Sequence, residues 1–318
     1  MREYLIKRFV LLIPTFIGIT LVVYAVLLLL PGDPVDVLLG QEYDPVVAQR
    51  LRAEWGLDQP IMVQYTKWLW HIVQGDWGRS MFSRKPVFDE VLAKLPLTLE
   101  LVALALFFEL LISVPAGVIS AVRPYTWWDY GASTFALIGV SIPSFFLGIL
   151  LFLTFGLWLG WLPVQGYVPL SESVSENLRH LLLPTIALGV ARTAILTRLV
   201  RASMLEVIRQ EYVTTARAKG LAERFVINKH ALKNALIPAV TVLGLQVGFL
   251  VGGAIIIEKL FALPGIGSYG IDAISNRDYP QVLGFILVSA VVFQIANLGV
   301  DLVYCFLDPR IRYGATEA

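Results

Sequence analysis

The chain has 318 residues, of which 57% are hydrophobic and 15% are charged, and its mean hydropathy is +0.72. This balance excludes an ordinary water-soluble globule and predicts a polytopic membrane protein in contact with the lipid bilayer. The net charge of +1 excludes the broad basic field with which proteins bind nucleic acid. A single cysteine, Cys305, excludes an intrachain disulfide and a multi-cysteine metal site.

The first apolar run covers residues 9–30 and follows three basic residues. Its length of about 22 residues exceeds the roughly 7–15 residues of a signal-peptide core and suits a bilayer interior of roughly 30 Å, so it predicts a retained transmembrane helix. Five more apolar runs each predict a helix, because backbone groups in lipid must be satisfied within their own segment. These runs cover residues 97–122, 133–159, 181–197, 236–257 and 282–307. The predicted fold is therefore all-α with six transmembrane helices.

A polar segment separates the first two predicted spans. Residues 31–96 hold seven basic and nine acidic residues, which predicts a small extracytoplasmic subdomain rather than a lipid-embedded one. Within it, residues 46–55 and 63–73 have the periodicity of amphipathic helices. The predicted domains are a first transmembrane helix at 1–31, the subdomain at 32–95, a five-helix core at 96–307 containing a cytoplasmic loop at 198–235, and a cytoplasmic tail at 308–318.

Positive charge is unevenly distributed between the two sides of the membrane. With the N-terminus in the cytoplasm, fourteen Lys and Arg residues fall on the inner side and three fall in the short outer loops. Cytoplasmic connections of membrane proteins have such an excess, so both termini are predicted to be cytoplasmic.

Sequence motifs for catalysis are absent. No Gly-Lys dipeptide occurs, which excludes a Walker-type phosphate-binding loop, and neither the His-Glu-x-x-His nor the Gly-x-Ser-x-Gly pattern is found. The three histidines are scattered along the chain. The sequence therefore predicts no catalytic residue, no metal site and no cofactor in this chain.

Two charged residues lie inside predicted spans, Glu109 in the second and Arg192 in the fourth. Charge within a membrane is costly and marks a functional residue by default. Three interpretations remain open: the two neutralise each other, they face a watery cavity, or Glu109 is a proton relay.

Small residues recur along the fifth predicted span. Gly244, Gly248 and Gly252 follow one another at intervals of four residues, a pattern that lets helix backbones approach closely. Gln246 adds a polar group to the same helix. Close helix packing and the lining of a translocation path are both compatible with this pattern.

The loop at 198–235 holds eight basic and three acidic residues. Within it, residues 211–221 predict a short helix with an acidic start, a basic end and a glycine stop. A helix this short is marginal alone in water, which favours packing on another protein over a solvated loop that only fixes topology. The residues of this predicted contact helix are Glu211, Tyr212, Ala216, Arg217, Ala218, Lys219, Gly220 and Leu221.

The loop resembles the cytoplasmic signature of permease subunits in the peptide and nickel branch of bacterial ABC importers. Tyr212 and the run Thr215-Ala216-Arg217-Ala218-Lys219-Gly220-Leu221 are followed by His230-Ala231-Leu232-x-Asn234-Ala235. Seven further motifs are similar, in order, to those of the B-type permease of dipeptide and oligopeptide importers. They are Pro31-Gly32-Asp33-Pro34, Gly56-Leu57-Asp58-x-Pro60, Gly75-Asp76-x-Gly78-x-Ser80, Pro96-x-Thr98-Leu99, Glu258-x-x-Phe261-x-x-Pro264-Gly265-x-Gly267, Asp278-Tyr279-Pro280 and Asp308-Pro309-Arg310-Ile311-Arg312.

This resemblance implies a type I ABC importer permease fold in the bacterial cytoplasmic membrane, forming half of a translocation path that works by alternating access. The implied partners are a homologous second permease in a heterodimer, two ABC ATPase subunits that bind ATP and Mg, and an extracytoplasmic substrate-binding protein. Ala216, Gly220 and Leu221 would contact the ATPase groove, with Arg217 and Lys219 as charge partners. Di- or oligopeptides are the expected substrates, with glutathione and nickel complexes as alternatives.

Two functions from other classes compete with this one. A proton-coupled secondary transporter would use Glu109 as its relay, but such folds usually have internal repeats, and no repeated pattern relates the halves of this sequence. An intramembrane enzyme would need a paired nucleophile and base, which the sequence does not contain.

Overall fold

A computed structural model describes residues 14–25 and 33–307 of the chain. Regular structure in these residues is helical, apart from one isolated antiparallel bridge between Arg79 and Pro86. They divide into two compact units. The first contains residues 14–25, 33–98 and 264–294, and the second contains residues 99–263 and 295–307.

Four helices in the described residues are long and apolar enough to cross a membrane. They are α5 (Val87–Val122), α8 (Val174–Val207), α12 (Ile237–Leu260) and α14 (Tyr279–Leu307). The apolar helix α1 (Pro14–Ala25) lies in the predicted first span, the rest of which is outside the described residues. The prediction of an all-α polytopic fold is confirmed, whereas the number of six spans stays a prediction.

The predicted span at 133–159 is not a single straight helix. The chain forms two helices there, α6 (Trp127–Ser141) and α7 (Ser144–Trp158), which meet at 102°. Ile142 between them has extended backbone angles, because the ring of Pro143 disfavours the helical conformation in the preceding residue. If α6 and α7 together cross the membrane once, they do so as a broken helix.

Short helices make up most of the polar part of the first unit. They are α2 (Pro34–Leu39), α3 (Pro45–Glu54), α4 (Ile61–Val73) and α13 (Ile266–Asn276). The side chains of Asp33 and Asp44 cap α2 and α3 by accepting the backbone N–H two residues on, and a proline follows each cap. The two predicted amphipathic helices at 46–55 and 63–73 are thereby confirmed as α3 and α4.

Aromatic side chains join α1 to α4. The ring centroids of Tyr24, Tyr65 and Trp68 lie 5.6–6.1 Å apart. The hydroxyl groups of Thr20 and Tyr65 form a buried hydrogen bond of 3.0 Å. The segment after the first helix therefore packs on that helix rather than forming a free domain.

Two pairs of motifs that are far apart in the sequence meet in the first unit. The buried carboxylate of Asp278 accepts hydrogen bonds from the Ser80 hydroxyl at 2.5 Å and from the Met81 backbone N–H at 3.0 Å. The hydroxyl of buried Thr98 accepts from the backbone N–H of Ile266, the first residue of α13, at 2.9 Å. These contacts explain why a serine, a threonine and an aspartate stand in those motifs.

The second unit is organised around α8, which packs against α6, α7 and α12. Small residues permit these approaches: a Cβ atom added to Gly139 of α6 would lie 3.0 Å from that of Ala194. Next to the loop between α8 and α12, α8 contributes Leu196, Val200 and Met204 to a hydrophobic core from which solvent is excluded. This core is where the candidate functional site is attached.

Candidate functional site

The loop between α8 and α12 folds into a helical hairpin. Its first arm is α9 (Glu211–Ala218), and its second arm consists of α10 (Glu223–Phe225), a π-helical turn (Val226–Ala231) and α11 (Leu232–Ala235). Gly220 joins the arms with a φ of +75°, a conformation that glycine adopts without the Cβ penalty of other residues. The predicted helix with a glycine stop is present.

Apolar side chains hold α9 against the membrane-spanning part of the second unit. Val213 and Ala216 lie three residues apart, on one face of the helix, and are 0% and 6% exposed. They pack in the same core as Met204 of α8 and Val226 and Ala231 of the second arm. This burial accounts for the stability of an eight-residue helix that would not form alone.

The position of Ala216 differs from the sequence-based expectation that it contacts a partner. Its Cβ atom points into the chain's own core, because three residues of an α-helix bring Ala216 back to the face of Val213. Ala218 lies on the opposite side and is exposed. Ala216 therefore positions α9, and the surface available to a partner lies elsewhere on the hairpin.

Polar contacts close the hairpin at both ends. The Arg217 guanidinium donates to the Glu223 carboxylate, with Nη2 at 2.8 Å from Oε1, and lowers the pKa of that carboxyl below its usual range. The Asn234 amide donates to the Tyr212 hydroxyl at 2.8 Å. Arg217, expected as a charge partner for another subunit, is thus already paired within the chain.

The exposed side of the hairpin combines apolar and basic groups. Tyr212 and Leu221 are each 41% exposed, and Glu211, Lys219 and Gly220 are exposed beside them. Lys219 has no ion-pair partner in the described part of the chain. We call Tyr212, Lys219, Gly220 and Leu221 the hairpin surface.

Glu109 and Arg192 do not form an ion pair. Glu109 is 0% exposed, and neither carboxylate oxygen has a hydrogen-bond partner among the described residues. The Arg192 guanidinium lies over the ring of Phe249 at 4.7 Å from its centroid. The side chains of Gln246 and Ser113 are also buried. The second unit thus contains several buried polar groups at membrane depth.

The three glycines of α12 do not share one environment. Gly244 is buried, Gly248 is half-buried and Gly252 is exposed, and no atom lies within 4 Å of a Cβ added to Gly252. The residue that packs closely is Gly253, whose added Cβ would lie 3.0 Å from Cδ1 of Leu188. Packing within the chain therefore explains why position 253 is a glycine, and it does not explain the glycine at position 252.

One polar cluster was missed by sequence reasoning. Asp129 near the start of α6 is 3% exposed. Its carboxylate accepts from Nε and Nη2 of Arg201 at 2.7 and 2.9 Å and from the Ser120 hydroxyl at 2.5 Å. The sequence feature that could have indicated this cluster is a lone acidic residue at the start of an apolar helix. Its partner belongs to the basic loop at 198–235.

Two protein-family models match this chain. A family model described as binding-protein-dependent transport system inner membrane component matches residues 113–313, and the model of the N-terminal part of such membrane components matches residues 1–102. The chain belongs to this family. It is a multi-pass inner-membrane permease of the B type.

Curated relatives match this permease along nearly its whole length. The dipeptide transport system permease protein DppB of Alkalihalophilus pseudofirmus is 42% identical, and the oligopeptide transport system permease protein AppB of Bacillus subtilis is 38% identical. The glutathione transport system permease protein GsiC of Escherichia coli is 41% identical. Each match covers 98% of this chain and 100% of the relative.

The MetNI methionine ABC transporter, solved in inward-facing conformations, contains a chain of similar fold. The TM-score is 0.56 at 20% identity, and the match covers 69% of this chain and 96% of that one. At this identity the likeness concerns the fold alone. It supports the type I ABC importer permease fold expected from the sequence.

Proposed function

We propose that this permease imports di- or oligopeptides and that a separate ATPase binds the hairpin surface and moves it. The observation on which this rests is the attachment of the hairpin: α9 is held by a solvent-free core to which α8 and α12 also contribute. A force on the hairpin surface therefore moves both membrane helices instead of bending a loose loop.

The mechanism proposed is alternating access. Two ATPase subunits bind ATP and Mg, and their closure displaces the hairpin, which biases the membrane helices toward a state open to the outside. Binding energy shifts an equilibrium only through differential affinity for its two states. This chain transmits that bias, and its sequence holds no phosphate-binding loop with which to generate it.

The proposed assembly contains a homologous second permease, two ATPase subunits and a substrate-binding protein outside the membrane. The hairpin and both termini face the cytoplasm in this arrangement, because the fourteen basic residues of the inner side include the eight of residues 198–235. The exposed Gly252 and half-buried Gly248 of α12 are then available to the second permease or to the path.

Peptides are the favoured substrates because two of the relatives are named for dipeptide and oligopeptide transport. Glutathione is the second candidate, since GsiC is 41% identical and is named for it. Nickel complexes are a third. Uptake of labelled dipeptide, longer peptide, glutathione and nickel by the reconstituted complex ranks these classes directly.

The coupling proposal is tested by Leu221→Asp. A buried carboxylate in an apolar contact is unfavourable, so we expect at least a tenfold loss of ATP-dependent uptake and of ATPase co-purification. Leu170→Asp is the matched control, because Leu170 is 48% exposed in the loop between α7 and α8. Equal losses in the two variants would contradict the proposal, as would uptake driven by a pH gradient without ATPase subunits.

A further inference from the structure

A groove between α6 and α8 has the chemistry of a phospholipid site. It encloses about 430 Å³ and is lined by Ser133 and Leu137 of α6 and by Arg198, Arg201 and Ala202 of α8. We propose that this groove binds an anionic phospholipid, with its phosphodiester group at Arg198 and its acyl chain along Leu137. The inference rests on the proposed orientation, which puts this end of both helices at the inner leaflet.

The groove contains one uncompensated positive charge. Both arginines line it, but the Arg201 guanidinium is neutralised by two hydrogen bonds to buried Asp129. Arg198 is exposed and has no hydrogen bond or ion pair in the part of the chain that the structure describes. Arg201 thus shapes the groove, and Arg198 is the cation left to receive an anion.

The surroundings place the groove at the level of lipid headgroups. Arg198 directly follows the apolar run at 181–197, and Ser133 opens the run at 133–159. Close by in the sequence, Tyr125, Trp127 and Trp128 are 82%, 91% and 61% exposed. Tyrosine and tryptophan are enriched at membrane interfaces, where the ring meets lipid and the polar group meets water.

Two exposed apolar side chains of α6, Leu137 and Ile138, form an apolar wall that favours a phospholipid over a free anion. Leu137 is 66% exposed and the neighbouring Ile138 is 53% exposed. Inorganic phosphate would bind Arg198 and leave this wall uncovered, whereas a phospholipid covers it with an acyl chain. Basic pockets between membrane helices on the cytoplasmic side are known to bind anionic headgroups.

The test measures lipid retained by the complete complex and needs no transport or ATPase readout, so it stands or fails separately from the proposed function. The complex is incorporated in phosphatidylcholine nanodiscs with and without phosphatidylglycerol, extracted into detergent and analysed by native mass spectrometry. We expect retained phosphatidylglycerol on the wild type and about fivefold weaker retention on Arg198→Gln, the effect of one basic residue near the surface. Leu137→Gln, which keeps the cation, should also weaken retention.

Arg209→Gln is the matched control. It removes the same charge from an exposed turn outside the groove, so its retention should stay within twofold of the wild type. Equal loss in Arg209→Gln would overturn the proposal in favour of general surface attraction. Displacement of the lipid by millimolar phosphate would indicate a free-anion site and overturn the proposal. Cross-linking of an Arg198→Cys variant to the second permease would indicate a subunit interface and overturn it as well.

Discussion

Asp129 and Arg201 show how one ion pair fixes the geometry of two membrane helices. The Asp129 side chain is 5% exposed and the Arg201 side chain is 30% exposed. The pair is supported by the Ser120 hydroxyl, which both donates to Asp129 and accepts from Arg201. Two charges can remain this deep because each is hydrogen-bonded to the other.

Asp129→Asn should destabilise the protein by about 2 kcal/mol, because it leaves the Arg201 charge without a counterion in a half-buried site. The measurement is thermal or denaturant unfolding of the detergent-solubilised complex. The double variant Asp129→Asn with Arg201→Gln should lose little more than the single one, since the two residues share one interaction.

Asp58→Asn serves as the control for this prediction. Asp58 is exposed, and substitutions at such sites usually change stability by less than about 0.5 kcal/mol. Comparable unfolding curves for Asp129→Asn and Asp58→Asn would show that the ion pair does not hold α6 and α8 together.

At the scale of single elements, α13 depends on a cap from another part of the sequence. Its preceding residue is Gly265, which has no side chain to cap the helix, and the first N–H is instead satisfied by Thr98 of α5. Open N–H groups at a helix start cost free energy when buried without an acceptor.

Thr98→Val keeps the shape of the side chain and removes the acceptor, so it should cost about 1 kcal/mol of stability. Thr66→Val is its control, because the exposed Thr66 hydroxyl donates only to the carbonyls of Met62 and Val63 in its own helix. Thr98→Val is expected to unfold at a midpoint about 1–2 °C below that of Thr66→Val. Identical midpoints would mean that Thr98 contributes nothing as a cap.

The turn of the hairpin makes a second prediction at this scale. No atom lies within 4 Å of a Cβ added to Gly220, so the cost of a substitution comes from the positive φ alone, about 1–2 kcal/mol. Gly220→Val should lower the substrate imported per ATP hydrolysed several-fold, while Gly220→Asn should have a smaller effect because asparagine tolerates this conformation.

Gly131→Val is the control for Gly220. Gly131 lies in the helical backbone of α6 with open space around it, so the same side chain is added without a positive φ. Membrane levels of all three variants should match the wild type, as the substituted sites are exposed. Normal coupling in Gly220→Val would remove the basis for assigning the turn a role in force transmission.

At the scale of the whole molecule, apolar length and periodicity predict most helices correctly. The runs at 97–122 and 181–197 lie within α5 and α8, and the run at 236–257 begins one residue before α12. The predicted helices are shorter than the observed ones because polar residues continue each helix beyond the lipid. The break within residues 133–159 was not predicted, since hydropathy does not include the backbone restriction that Pro143 imposes on Ile142.

The candidate site was only partly predictable for a similar reason. The charge pattern and the glycine located α9, but the pattern cannot tell which alanine faces inward until the core beneath the helix is known. Ala216 and Ala218 are chemically identical, and packing against Val226 and Ala231 buries the first and not the second. The partner of Asp129 lies 72 residues away, beyond the reach of local patterns.

The bond between Ser80 and Asp278 sets an order of events during synthesis. A ribosome reaches residue 80 long before residue 278, so for 198 residues of translation the Ser80 hydroxyl and the Met81 amide have no native acceptor. In a polypeptide released before residue 278, the Ser80 hydroxyl and the Met81 amide do not form these two hydrogen bonds. A polypeptide that ends before residue 278 therefore lacks the carboxylate that both groups contact in the finished protein.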